Sequence, residues 1–406
     1  MVIPKIGSIP LVNDATNGSA GGAFLLSTPS KSNATLHIDT ADIEVHVGEP
    51  YAVVRFNGCE DAVSTFANAH SLVQQGLDLL SILGTQDSII LDAENEHILC
   101  WSEPDGIVVR NVSTTLFNFS VGSAKLVVKD KDGNIIPPVP SHPQHHPAFR
   151  YYRLAQTTDD LFDAYRNMYL SFEVLLSSQH PKMKREQEID WLRRALSAAS
   201  DEIGLKGLST DPGSDPIGTI LNDIYQDARL PLFHAKEGRV FYVPQDSDAR
   251  VTVAHALNIL TNLVLRMAEK WYSARRVGGF VFPGWVYKNV RSQLASNTIY
   301  ATNYDGPFDP TEKDLSHPRF KSALATPCTV APEFERGREP AFMGTFIEAD
   351  FASVDPVRRI DVATDEHPYI AQIMDAPLKL SGIHRFEVLS HIRVTNQNQP
   401  KTLFRK

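Results

Sequence analysis

Cysteine is scarce in this chain: three in 406 residues, Cys59, Cys100 and Cys328, far apart and odd in number. That spacing excludes a CxxC metal clip and a dense disulfide framework, and a reducing cytoplasm is the simplest compartment it suits. Positive charge is in deficit, with 39 Lys plus Arg against 48 Asp plus Glu and a net charge of −9. The molecule as a whole repels a polyanion, so contact with nucleic acid has to rest on a local basic patch. No run of about 18 apolar residues occurs, and Met1 to Gly22 has no signal-peptide core, so neither membrane insertion nor export is expected. A Walker A loop, a GxGxxG after a strand, HExxH and Gly-x-Ser-x-Gly are all missing, which leaves ATPase, dehydrogenase, zinc-protease and serine-hydrolase chemistry without support. His142, His145 and His146 stand in a proline-rich stretch that does not fix ligand geometry, so no metal and no cofactor is expected.

What is present is ordinary folded-protein composition, 42% hydrophobic and 21% charged, in a length that suits two or three domains. Residues 1–33, rich in Gly, Ser, Asn and Thr and including Gly21-Gly22, read as a flexible leader. Residues 34–135 read as an α+β N-terminal domain. Leu36, Ile38, Ile43, Val45 and Val47 alternate with polar residues, whereas Val63, Phe66, Ala69, Val73, Leu77, Leu80 and Leu83 recur every three or four residues, with Gly84 as a stop. Further strand-like runs follow to Val128. Five prolines between Ile136 and Pro147 then mark a linker over 136–148.

Residues 149–276 turn helical. Segments 159–178, 186–203, 215–228 and 248–274 are amphipathic, the third opened by Asp215-Pro216 as cap and first-turn proline, and four such helices imply a bundle. Residues 277–406 read as a loop-rich, then β-rich, C-terminal region. The expected fold class is therefore α+β, with a central four-helix bundle between an α+β N-terminal domain and a small β-rich end.

The third helix runs into Arg229-Leu230-Pro231-Leu232-Phe233-His234. Residues five apart sit about 140° apart on a regular helix, so Arg229 and His234 would face different ways. Pro231 has no N–H and its ring collides with the carbonyl of residue 227, so the helix should bend or end there, and a kink brings the two side chains together. Arginine is a permanent forked cation matched to phosphate oxygens, and histidine moves a proton near neutral pH. Together they suit phosphodiester chemistry without a metal. Glu173, in the first bundle helix, needs a partner if buried, and Arg166, Arg229 or His234 are candidates. As a purely structural alternative, Arg229 pairs with Asp227, Glu237 or Glu173.

An Arg, four intervening residues and a His, ending one helix before a long final helix, resembles the HEPN superfamily of helical domains. The resemblance covers roughly residues 149 to 275. It implies an HEPN-like bundle that dimerises, with the Arg and His of two copies facing each other, and a metal-independent endoribonuclease in bacterial anti-phage defence or toxin-type growth arrest. His234 would assist proton transfer at the ribose 2′-OH and Arg229 would stabilise the scissile phosphate. RNA is then the partner, with Lys236, Arg150 and Arg153 as substrate-binding cations, the latter two beside Phe149, Tyr151 and Tyr152. One departure stands out: active members carry a polar residue directly after the Arg, where this chain has Leu230. The alternative is a non-catalytic HEPN-fold dimerisation scaffold whose β-rich regions bind a partner or ligand.

Overall fold

The computed structural model describes residues 3–14, 18–117, 131–133, 142–208, 215–234, 240–244, 246–275, 291–292, 294–306, 323–330, 341–347, 349–363 and 368–394. It is mixed α and β, and its chain divides into two units: Met1–Asn118 with Val281–Thr395 and Phe404–Lys406, and Phe119–Phe280 with Asn396–Leu403.

The first unit is built on two sheets. Its strands are β1 (Lys5–Ile6), β2 (Ile9–Pro10), β3 (Ser19–Leu25), β4 (Ala34–Ile38), β5 (Ala41–Val45), β6 (Tyr51–Asn57), β7 (His97–Glu103), β8 (Gly106–Phe117), β9 (Thr298–Thr302), β10 (Leu324–Pro327), β11 (Thr329–Val330), β12 (Ala341–Ile347), β13 (Val357–Ala363), β14 (Pro368–Lys379) and β15 (Arg385–Val394). One sheet has the order β10-β9-β13-β14-β1-β2 and the other β11-β12-β15-β8-β7-β3-β6-β5-β4. The strand β7 explains the layering. Its residues are nearly all buried, and because side chains alternate, Ile98 and Cys100 enter the core shared with the other sheet while Leu99 and Trp101 enter a second core. That second core is closed by helix α1 (Ala62–Ile82) through Ala69, Val73, Leu77 and Leu80. Asp61 caps α1 by accepting from the N–H groups of Val63 and Ser64. Gly84, with φ +69°, ends it. Val63 and Leu83, which fit the helical spacing, point to solvent at 80% and 66% exposure.

Two expectations are corrected here. The leader carries fold: it supplies β1 to β3, and β3 lies between β7 and β6. Its Gly21-Gly22 pair is a close-approach device, since a Cβ at Gly21 would lie 1.9 Å from the Leu11 carbonyl oxygen and one at Gly22 2.7 Å from Ala69 Cβ on α1. Nor is the C-terminal β-rich region separate from the N-terminal domain. β15 pairs in parallel with β8 from Arg385↔Val108 to Val394↔Phe117, joining segments almost 280 residues apart in one sheet. Local periodicity carries no trace of such a pairing.

The second unit holds α2 (Ala148–Thr157), α3 (Leu161–Gln179), α4 (Glu188–Ile203), α5 (Pro216–Leu221), α6 (Leu230–Phe233) and α7 (Ser247–Tyr272). It is therefore more than a plain four-helix bundle: α2 is an additional helix, and the third expected helix is a composite. Between α5 and α6 runs a π-helical segment, Asn222–Arg229, in which the Leu230 N–H reaches the Tyr225 carbonyl. The interruption expected at Pro231 takes this form. Proline cannot donate to residue 227, so the register widens ahead of it and the rod ends at His234. Tyr165 of α3 donates its hydroxyl to the Ile224 carbonyl inside that segment. Phe172, Leu176, Leu196, Ile224, Leu260 and Val264 are among the residues of the common core. Asp248–Tyr272 is long and apolar enough to cross a membrane by length and composition, but 56% of its most apolar 18-residue stretch is buried, as befits a central packing helix.

Candidate functional site at the end of the π-helical segment

Arg229 closes the π-helical segment and His234 follows the last residue of α6. The widened turns and the exit of the chain at His234 bring them together: Arg229 Nη1 lies 3.5 Å from His234 Nε2. A guanidinium only donates, so in this contact Nε2 is the accepting atom. Both side chains are half-buried. Lys236, the third expected cation of this turn, lies outside the described residues.

The surroundings of Arg229 come from three other turns of helix. Its Nη2 lies 3.2 Å from Glu188 Oε1, in the first turn of α4. Its guanidinium carbon stands 5.3 Å from the ring centres of Tyr225 and Phe233 and 5.9 Å from that of Tyr169. Such faces attract a cation, more strongly where water is excluded. Tyr169 donates to Glu188 Oε1 at 3.4 Å. Arg229 Nε is buried without a hydrogen-bond partner among the described residues.

Glu173 completes the group. Burial, then the nearby charge of Glu188, push its carboxyl up to about 7, with Arg229 pulling the other way. A hydrogen bond between the two glutamates favours the protonated form of Glu173. Burial above all, followed by Glu188, also holds the Tyr225 phenol above its ordinary value. The site is thus an arginine in an aromatic box, a histidine as its acceptor, and a carboxyl pair of which one member keeps its proton to near neutrality. It can hold an anion and move a proton.

Of the expected residues, the structure brings Arg229, His234 and Glu173 into one neighbourhood. Arg150 and Arg153 are exposed on α2 and make no hydrogen bond or ion pair with this group among the described residues. Arg166 pairs with Asp163 at 2.9 Å and stands 5.9 Å from the ring centre of Phe233, at the edge of the same neighbourhood. Among the described residues the ion-pair partner of Arg229 is Glu188 rather than Asp227 or Glu173, and Glu237 lies outside them. Glu188, Tyr225 and Phe233 were not legible as site residues. The only signal for Glu188 was an acidic side chain at a helix N-terminus, where the helix dipole alone is reason enough for one. His145 and His142 are exposed, His146 lies over Tyr272 at 4.6 Å, and no metal-holding group occurs among the described residues.

Residues 148–269 match a protein-family model. It is described as Methylamine utilization protein MauJ. The match runs from the start of α2 almost to the end of α7, under a third of the chain, and contains the whole site. No curated protein and no solved structure matches.

Proposed function

We propose that the helical unit is an HEPN-like, metal-independent endoribonuclease module, acting as a dimer in bacterial anti-phage defence or toxin-type growth arrest. The observation that carries this reading is the approach of Arg229 to His234. A π-helical turn is a costly device that recurs at functional sites, and here it ends on the arginine. Arg229 places positive charge where a scissile phosphate would sit, and His234 Nε2 presents a lone pair able to take the 2′-OH proton once Arg229 turns to the phosphate. Glu173, with its carboxyl near 7, is a proton donor within the same cluster. Exposed Arg150 and Arg153, with Lys236, would attract the RNA backbone.

One observation favours a second reading. The ion pair to Glu188 and the three aromatic rings already engage the Arg229 guanidinium, and Leu230 stands where active HEPN ribonucleases carry a polar residue. On this reading the unit is a non-catalytic dimerisation scaffold, and the β-rich unit binds the partner. RNA profiles from cells expressing the chain, beside Arg229→Ala and His234→Ala, separate the two. Fragmentation abolished by both substitutions supports the nuclease, and intact RNA throughout supports the scaffold.

A further inference from the structure

Away from the helical unit, the β-rich unit has a partly open cavity of about 20 Å³, lined by Tyr51, Glu96, Ile98, Asn111, Gln372 and Asp375 among others. A single water needs roughly 10–15 Å³, so the enclosed space takes about one water-sized polar group, and anything larger extends through the mouth. Asp375 stands exposed at the cavity rim on β14.

The lining is specific in what it demands. Asn111 is 4% exposed, and its Nδ2 has no hydrogen-bond partner among the described residues. On β8 it shares the parity of Ile107 and Val109, which enter the core between the sheets. Glu96 is half-buried, and burial followed by the charges of Asp92 and Asp375 raises its carboxyl to about 7. Arg393, whose charge opposes them, is engaged by Asp92 at 3.1 Å. Tyr51 faces the same carboxylates from β6 and is itself buried.

A bare metal ion would meet the N–H of Asn111 head-on. A bare anion would meet two carboxyl groups. A water molecule would satisfy the amide yet, once Glu96 ionises above about pH 7, supply no positive charge to the carboxyl pair. We infer that this cavity is a binding site for a primary ammonium group with an adjacent carbonyl oxygen, the ammonium held by Glu96 and Asp375 and the oxygen by Asn111. Two sources present that chemistry: a free amino-acid amide and the N-terminus of a peptide.

The test is calorimetric titration of the full chain at pH 8 with glycinamide, glycylglycinamide, N-acetylglycinamide and ethylammonium, in the wild type and in Glu96→Gln, Asn111→Ala and Asp375→Asn. Asp375 is exposed, so its variant keeps the question answerable if a core variant fails to fold. The expected result is saturable binding of glycinamide, weakened roughly tenfold by Glu96→Gln, by Asp375→Asn and by N-acetylation, as loss of one charge-assisted hydrogen bond implies, and severalfold by Asn111→Ala, which removes a neutral one. Glycylglycinamide binding more tightly than glycinamide assigns the site to peptide N-termini, and equal binding assigns it to free amides. Absence of saturable binding by both, equal binding of the acetylated compound, or variants that bind as the wild type does would leave a bridging water as the only occupant and overturn the inference.

Discussion

Glu173 offers a sharp test of the electrostatics around Arg229. Its carboxyl titrates near 7 in the folded chain against an ordinary 4.5. The folded state therefore holds a proton that the unfolded state has released, and stability contributed by this group falls as pH rises from about 4.5 through 7. The full shift corresponds to roughly 3.4 kcal/mol at 1.36 kcal/mol per unit, and because Glu173 keeps some contact with solvent, screening reduces the usable part to about 1–2 kcal/mol. Glu173→Gln removes the ionisation and retains an N–H that can donate to ionised Glu188. Relative to the wild type, the variant should gain about 1–2 kcal/mol at pH 8 over its effect at pH 5, some 3–6 °C in the melting of a domain of this size. Thermal unfolding of both proteins at the two pH values, followed by circular dichroism at the helical minimum, measures that difference of differences. Titrations of groups outside this carboxyl pair cancel. An equal effect at pH 5 and pH 8, or a greater loss at pH 8, would refute the assignment of Glu173 as the protonated member of the carboxyl pair.

Further outcomes follow from single contacts. Tyr165→Phe deletes the hydroxyl that satisfies the Ile224 carbonyl in the π-helical segment, and should cost about 1–2 kcal/mol in denaturant unfolding. Gly22→Val drives a branched side chain into α1, where even a Cβ comes within 2.7 Å of Ala69, and should destabilise the β-rich unit by about 1–3 kcal/mol. His97 is buried beside Phe24 and Phe66, and burial lowers its value to about 3. Because that lies below the ordinary 6.5, stability is present above 6.5 and lost as pH falls. His97→Gln should remove up to about 1.4 kcal/mol per pH unit of slope between pH 6 and 4, measured by urea unfolding across that range.

How much of this was written locally in the chain depends on the range of the interaction. Helices α3, α4 and α7 lie close to where three-and-four spacing puts them, because each buries one continuous stripe. The sheet that joins β8 to β15 was not legible, since its register is set by which strand finds which across almost 280 residues. Gly21-Gly22 read as loose chain because the same residue type serves flexible segments and tight approaches, and only the neighbours Leu11 and Ala69 tell them apart. At the site, Arg229, His234 and Glu173 were visible because proline punctuates the sequence between the first two and because a carboxylate on an apolar helix face stands out. Glu188 was not, since nothing in the first turn of α4 says which distant cation it will meet.

The central claim is that Arg229 and His234 act together on RNA. The most direct measurement is growth of a bacterial host expressing the wild-type chain, Arg229→Ala or His234→Ala, with total RNA profiled from each culture and the level of folded protein matched. The account predicts growth arrest and fragmented RNA with the wild type and neither with the two variants. Fragmentation that persists in His234→Ala would contradict it, and so would intact RNA and unimpaired growth in all three cultures.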